Sequence, residues 1–396
     1  MNNMVNPTIP SSLRVLHVID SGGLYGAENV LLDLMSEQVK MGLKTVLASI
    51  GEKHIKEKPI EHEAVRRGLT VKKFRMRPGL NFAGALQILH YAQKEGFDLL
   101  HSHGYKGNIL LGLITRKIRK IPLITTLHGW TNTGSFTRMA LYERMDSFCL
   151  RFTDAVILVN KAMLSHPRLK DRKRLNTVVI NNGIPSASND STLKKIQQIL
   201  SNRRFDRTIV DFCKEGYTIG SIGRLSKEKG YRYLIEALNL LIQKGMDANL
   251  IIMGEGEERQ HLEGLSEKLG LSDRVLMPGY CTNARDYLTC LNVFVLPSLT
   301  EGMPITILEA MQAKVPIVAT CVGGVPDVLE KEKDALLIES RNSEELANAI
   351  KRLYCNDALK YDLVTSAYTK VINNYTIAEM TKKYLKVYQS VYKTNE

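Results

Sequence analysis

Cysteine is scarce and scattered. The six residues (Cys149, Cys213, Cys281, Cys290, Cys321 and Cys355) form no Cys-x-x-Cys pair. That excludes a spaced zinc site or a disulfide framework and fits reduced thiols in a cytosolic protein. Proline (12) and glycine (28) are too few for a fibrous or low-complexity chain. Apolar runs are short, as at residues 155–159, and none approaches the ~20 residues of a membrane-spanning helix. Residues 1–12 lack the basic-then-apolar order of a signal peptide, so none is expected. Asp-x-Asp is absent throughout, so no metal clamp on a diphosphate is suggested.

What is present describes a globular protein. The 396 residues suggest two domains or three. Hydrophobic residues make up 44% and charged residues 24%, which leaves little room for wholesale disorder. Charge is uneven. Residues 1–190 carry 27 basic and 15 acidic side chains, while the rest carries 27 and 26. A basic half suits an anionic partner, whether a phosphorylated ligand, an anionic membrane or nucleic acid. Phe74 is the one aromatic residue within its basic clusters (72–77, 116–120, 168–174), which makes no stacking platform, so nucleic acid is the poorest of the three.

Short runs rich in Val, Ile and Leu alternate with amphipathic stretches. Residues 13–19, 45–50, 99–101, 123–127, 155–159 and 178–180 read as buried strands. Segments 27–40, 82–94 and 107–120 between them carry helical spacing. The polar stretch 184–216 interrupts the rhythm and reads as an interdomain connection with a helix near 191–204. Strands then resume at 218–222, 249–253, 274–277, 293–296, 317–320 and 335–338, followed by helices at 343–355, 358–373 and 377–392. Buried strands separated by helices imply βαβ units and parallel sheets, with ligands at the carboxyl ends of the strands.

Four segments carry chemistry. In the first, Glu301 follows a strand, with Gly302, Met303 and Pro304 next to it, and Glu309 lies in the helix beyond. Free backbone N–H groups at a helix start suit an anion or a hydroxyl. Two ordinary helix charges read equally well. The second, Gly220 to Gly230, joins a strand to a helix and holds Arg224 and Lys229, a fork and a point charge for phosphate or simply a solvated basic turn. In the third, Ser21-Gly22-Gly23-Leu24-Tyr25-Gly26, the G-x-G-x-x-G spacing is missing, which argues against a nicotinamide or flavin site. That turn still suits close approach to a phosphate or sugar. The fourth ends a strand at His128-Gly129-Trp130, with His101 and His103 equally placed at the previous strand end. Chemistry alone does not rank these three histidines.

Taken together, these segments resemble the family 4 glycosyltransferases from residue 15 to about residue 391. The match runs through Glu301-x7-Glu309, Val315 to Thr320, Gly323 to Asp327, Gly223-Arg224-Leu225 with Lys229-Gly230, His128-Gly129, Asn182-Gly183-Ile184, Gly254-Glu255-Gly256 and Pro278-Gly279-Tyr280. The resemblance implies a GT-B fold: two Rossmann-like α/β domains facing a central cleft (residues 1–185 and 186–375), with a final helix (376–396) crossing back to the first. It implies a retaining hexosyltransferase that moves a sugar from a UDP- or GDP-type nucleotide sugar to a saccharide or polyprenyl-linked acceptor, in surface polysaccharide or glycolipid synthesis. Arg224 and Lys229 would bind the diphosphate, Glu309 the ribose, and Glu301 with Gly302, Met303 and Pro304 the donor sugar. His128 would lie at the sugar ring, Gly22 and Gly23 would close on the phosphates, and Gly254, Gly279 and Tyr280 would frame the base. No cofactor or metal is expected. A cytoplasmic protein is expected, peripheral on the inner membrane face through its basic half. Two rivals remain: a non-catalytic GT-B scaffold or membrane-binding protein, and a nucleotide-sugar epimerase of the same fold.

Overall fold

The computed structural model describes residues 13–129, 138–169, 175–185, 206–281 and 284–393. Trp130, the stretch 191–204 and residues 170–174 of the third basic cluster lie outside them. The chain divides into two units, residues 1–185 with 377–396, and residues 186–376.

Among the described residues the first unit holds seven strands: β1 (Arg14–Ile19), β2 (Lys44–Glu52), β3 (Thr70–Met76), β4 (Leu99–His103), β5 (Leu123–Leu127), β6 (Ala155–Leu158) and β7 (Thr177–Val179). They form one parallel sheet in the order β3-β2-β1-β4-β5-β6-β7. Alternation along β1 sorts the faces. Leu16 and Val18 enter one core with Phe74, Ile88 and Leu110, while Ile19 enters another with Leu31, Met35 and Ile60. The helix Gly26–Lys40 buries a stripe of Val30, Leu31, Leu34, Met35 and Gln38. Sheet order reverses between β1 and β4, which places a crevice at their carboxyl ends. The helix Ile377–Lys393 belongs to this unit, burying Tyr384, Leu385 and Tyr388.

The second unit has, among the described residues, six parallel strands: β8 (Tyr217–Ile222), β9 (Ala248–Met253), β10 (Val275–Gly279), β11 (Val293–Leu296), β12 (Ile317–Thr320) and β13 (Leu336–Ile338). Their order is β10-β9-β8-β11-β12-β13, with the reversal between β8 and β11. The loops after these two strands begin at Gly223 and Pro297, so the Arg224 and Glu301 segments are neighbours by topology. Local signals set the helix starts. Asn342 accepts from the Glu345 amide and Asn356 from the Leu359 amide, capping two consecutive helices.

Two basic stretches differ from their sequence reading. Residues 72–77 lie largely in β3, an edge strand with Phe74 and Met76 inside and Lys72 and Lys73 outside. The helix expected over 107–120 is two, Tyr105–Gly112 and Arg116–Arg119. Between them the chain turns so that Arg119 is fully buried. Its guanidinium donates to the carbonyls of Leu111, Ile114, Ile121 and Phe152 and meets Asp154 at 3.2 Å. Arg119 therefore ties loops together and belongs to no charged surface.

Candidate active site

At the reversal point of the second sheet, Lys229 reaches across from the loop after β8. Its Nζ lies 2.7 Å from Oε1 of Glu301, 72 residues away. Ser298 donates to the same oxygen at 2.6 Å. The Glu301 side chain is 7% exposed and that of Lys229 is 22% exposed. A carboxylate so covered needs a cation and a donor, and it has both. Both bonds fall on Oε1, which leaves Oε2 to accept from a ligand. Arg224 is half exposed and salt-bridged to Glu228 one turn on. Met303 and Pro304 are buried, Gly302 and Glu309 half-buried, and Tyr280 exposed.

Close backbone contacts hold these loops in place. The Leu299 amide donates to the Glu228 carbonyl at 2.7 Å, and Thr320 Oγ1 to the Ser298 carbonyl at 2.6 Å. The Gly324 amide donates to the Gly302 carbonyl at 3.0 Å. Gly323 adopts φ +54°, and a Cβ there would overlap the carbonyl oxygen of Glu301. A Cβ on Gly254 would likewise overlap the Gly223 carbonyl, so this glycine brings the β9 loop against the Arg224 loop. Gly323→Ala is expected to lose roughly 1–3 kcal/mol from backbone strain alone and to displace Glu301. Thermal unfolding of the variant, with and without nucleoside diphosphate, measures both effects.

In the first unit the loop after β1 is braced. Ser21 donates to Glu28 at 2.8 Å, and the amide of Gly23 donates to Ser21 Oγ at 3.2 Å. Lys58 and Lys106 meet Asp20 at 2.6 and 2.7 Å. Gly22 lines an open groove of about 320 Å³ with Asp20, Ser21, Glu52 and Lys58.

Register aligns four histidines. His17 pairs with His101 across β1 and β4, and His103 pairs with Thr126 across β4 and β5, two residues before His128. His17 Nδ1 is 3.1 Å from His103 Nε2, and His103 Nδ1 is 3.4 Å from His128 Nε2. His101 contacts Tyr388 and Thr126 at 2.7 and 2.8 Å. Burial holds all four rings neutral, with His17 and His128 lowered to about 4 and His101 and His103 well below 6.5. His17, His101 and His103 offer nitrogens within 4.8 Å of one another, the one such group among the described residues that could hold a metal ion. Those nitrogens are engaged by each other, Gln38, Thr126 and Tyr388. Sequence reasoning missed His17, Gln38, Ser298 and the two tyrosines. His17 had a signal, being a histidine at an inward position of a strand that otherwise reads as apolar.

Two family models divide the chain between them. Residues 25–187 match Glycosyltransferase Family 4, and residues 185–370 match Glycosyl transferases group 1. The chain belongs to the family 4 glycosyltransferases. The glycosyltransferase is 26% identical over 312 residues to the Escherichia coli UDP-Gal:alpha-D-GlcNAc-diphosphoundecaprenol alpha-1,3-galactosyltransferase, covering 76% of this chain and 78% of that one. It is 24% identical over 320 residues to the Bacillus anthracis N-acetyl-alpha-D-glucosaminyl L-malate synthase, covering 79% and 80%. Its fold matches that of Anabaena HepE in complex with UDP, at TM-score 0.79 and 20% identity over 96% of this chain and all of HepE. The fold is GT-B and the activity is sugar transfer.

Proposed function

We propose that this glycosyltransferase takes a UDP-sugar and transfers its sugar, with retained anomeric configuration and without a metal, to a lipid-linked saccharide. The observation that carries the reading is the Lys229–Glu301–Ser298 cluster at the reversal point of the second sheet. Lys229 and Arg224 neutralise the charge that grows on the departing diphosphate, where fixed donors act most strongly. Glu301 accepts from hydroxyls of the donor sugar through Oε2, and Glu309 accepts from the ribose. The bond between the anomeric carbon and the diphosphate oxygen breaks, the acceptor oxygen bonds to that carbon, and the acceptor proton passes to the leaving phosphate. Retention through a covalent intermediate needs a second, well-placed carboxylate, and Glu301 is committed to Lys229 and Ser298. The galactosyltransferase relative named for a UDP-sugar and the UDP complex of HepE support uridine as the base.

The diphosphoundecaprenol acceptor in that relative's name supports a lipid-linked acceptor here. No helix among the described residues is long and apolar enough to cross a membrane. A peripheral contact is supported by Leu141 and Phe148, exposed and seven residues apart on one helix, with Phe152 and Arg151 beside them.

A thermal-shift series with UDP, GDP, ADP and CMP tests the donor reading. UDP at 100 times its dissociation constant adds ~2.7 kcal/mol of stability. A UDP shift absent in Arg224→Ala is expected. A shift with GDP or ADP alone overturns the choice of base, and no shift with any of them overturns the donor site.

A further inference from the structure

Hydrogen-bond polarity around the buried histidines can be followed atom by atom, because each neutral imidazole carries one N–H and one lone pair. Gln38 starts the chain. It is fully buried on the helix Gly26–Lys40, and its Oε1 lies 2.9 Å from His17 Nε2. An amide oxygen only accepts, so His17 donates from Nε2 and keeps its lone pair on Nδ1. His103 must then donate from Nε2 across 3.1 Å, leaving its own Nδ1 as acceptor. His128 in turn donates from Nε2 across 3.4 Å, and its Nδ1 is left unprotonated. That Nδ1 is buried and has no hydrogen-bond partner among the described residues.

The other end of the same amide agrees. Gln38 Nε2 donates to the Tyr388 hydroxyl at 3.2 Å. Tyr388 donates to His101 Nδ1 at 2.7 Å, so His101 donates from Nε2 to Thr126 Oγ1 at 2.8 Å. Thr126 is then free to donate to Tyr384 at 3.3 Å. With the amide in this orientation, every donor from Gln38 to His128 and from Gln38 to Thr126 meets an acceptor. Burial lowers all four rings from the ordinary histidine value, His17 and His128 to about 4 and His101 and His103 well below 6.5, which keeps the one-proton bookkeeping valid at neutral pH.

We propose that Gln38 is a positioning residue for sugar transfer: acting through His17 and His103, it fixes His128 in the tautomer whose Nδ1 lone pair accepts from a substrate hydroxyl. The role of His128 rests on the sugar-transfer reading above, with His128 at the sugar ring as the family resemblance implies; the tautomer does not. Tyr388 of the final helix braces the same amide, so the last 20 residues of the first unit contribute to the state of a ring 260 residues earlier. A buried acceptor with no partner costs stability where it stands. A sugar hydroxyl would satisfy it and would be selected over a hydrogen or a methyl group at that position.

The test is a long-range proton–nitrogen correlation spectrum of protein labelled with 15N-histidine, at neutral pH. The His128 signals are identified by their loss in His128→Gln. The expected result is an unprotonated Nδ1 and a protonated Nε2 on His128 in the unsubstituted protein. A proton on Nδ1 would mean that the amide is turned the other way and would overturn the proposal, with His128→Gln needed only to identify the signals. In Gln38→Met, which has similar size and no hydrogen bonds, His128 should show both tautomers. Its kcat should fall ~10-fold or more, as for other residues that orient a functional histidine, with KM for the donor little changed. Gln38→Glu keeps an acceptor facing His17 and should restore both the single tautomer and most of kcat. An unchanged His128 tautomer in Gln38→Met overturns the relay. Because UDP binding is measured separately, failure of the relay and failure of the donor reading give different results.

Discussion

Lys229→Ala will lower kcat/KM for the donor by ~10²- to 10³-fold, the usual cost of removing one fixed donor from a developing anion. It will also abolish the thermal shift with UDP. Lys229 is 22% exposed and held at 2.7 Å from Glu301, so it is already ordered before any ligand arrives. Little side-chain entropy is then lost on binding. The substitution also strands Glu301, which is 7% exposed and keeps only Ser298 as a donor. Removing one partner of a buried pair is usually worse than removing both. A double-mutant cycle with Glu301→Gln separates the effects. If Glu301 only anchors Lys229, the double variant will be no less active than Lys229→Ala. If Glu301 holds the sugar, as proposed, activity will fall further in the double variant. Wild-type turnover by Lys229→Ala would end the donor-site assignment.

The protein will lose stability steeply as pH falls from about 6.5 toward 4, the window set by its four buried histidines. Burial lowers His17 and His128 to about 4, and holds His101 and His103 well below 6.5. Across that window the unfolded chain binds protons that the folded chain refuses. The stabilisation is complete above pH 6.5 and drains away with each proton the unfolded state takes up. Each histidine contributes a slope of up to ~1.4 kcal/mol per pH unit. Glu61 and Glu63 act in the same direction at lower pH. Burial pushes Glu61 up, but its bonds from Arg75 and the Lys58 amide more than offset this, while Arg66 first, then Arg67, hold Glu63 at about 2. Their stabilisation is lost only below the usual carboxylate range, so the two windows separate. Unfolding midpoints at pH 7.5, 6.5, 5.5 and 5.0 are the measurement. A flat profile across these points would contradict neutral, buried rings.

The strands and the chemistry-bearing loops were legible because both follow from local pattern. Buried parallel strands need unbroken Val, Ile and Leu, and the turns after them need glycine and polar residues, so β5 and β11 can be placed from sequence to the residue. β3 was not legible, because Lys72, Lys73 and Arg75 on an edge strand mask the alternation that Phe74 and Met76 carry. Arg119 was misleading for a related reason: a run of charges looks solvated, and only the turn after residue 112 shows that this one satisfies four carbonyls.

By itself, then, the sequence determined two α/β units, the loops that carry Arg224, Lys229 and Glu301, and the membership of a sugar-transferring family. Tertiary structure decided which of those groups meet. Lys229 and Glu301 are 72 residues apart, His17 and His103 are 86 apart, and Gln38 and Tyr388 are 350 apart. No local pattern encodes such pairs. They arise because parallel strands must be joined by crossovers, which bring distant strand ends side by side at the reversal point of each sheet. Register then settles the rest: β1 and β4 pair His17 with His101, so a shift of one residue would turn His17 to the opposite face, away from Gln38.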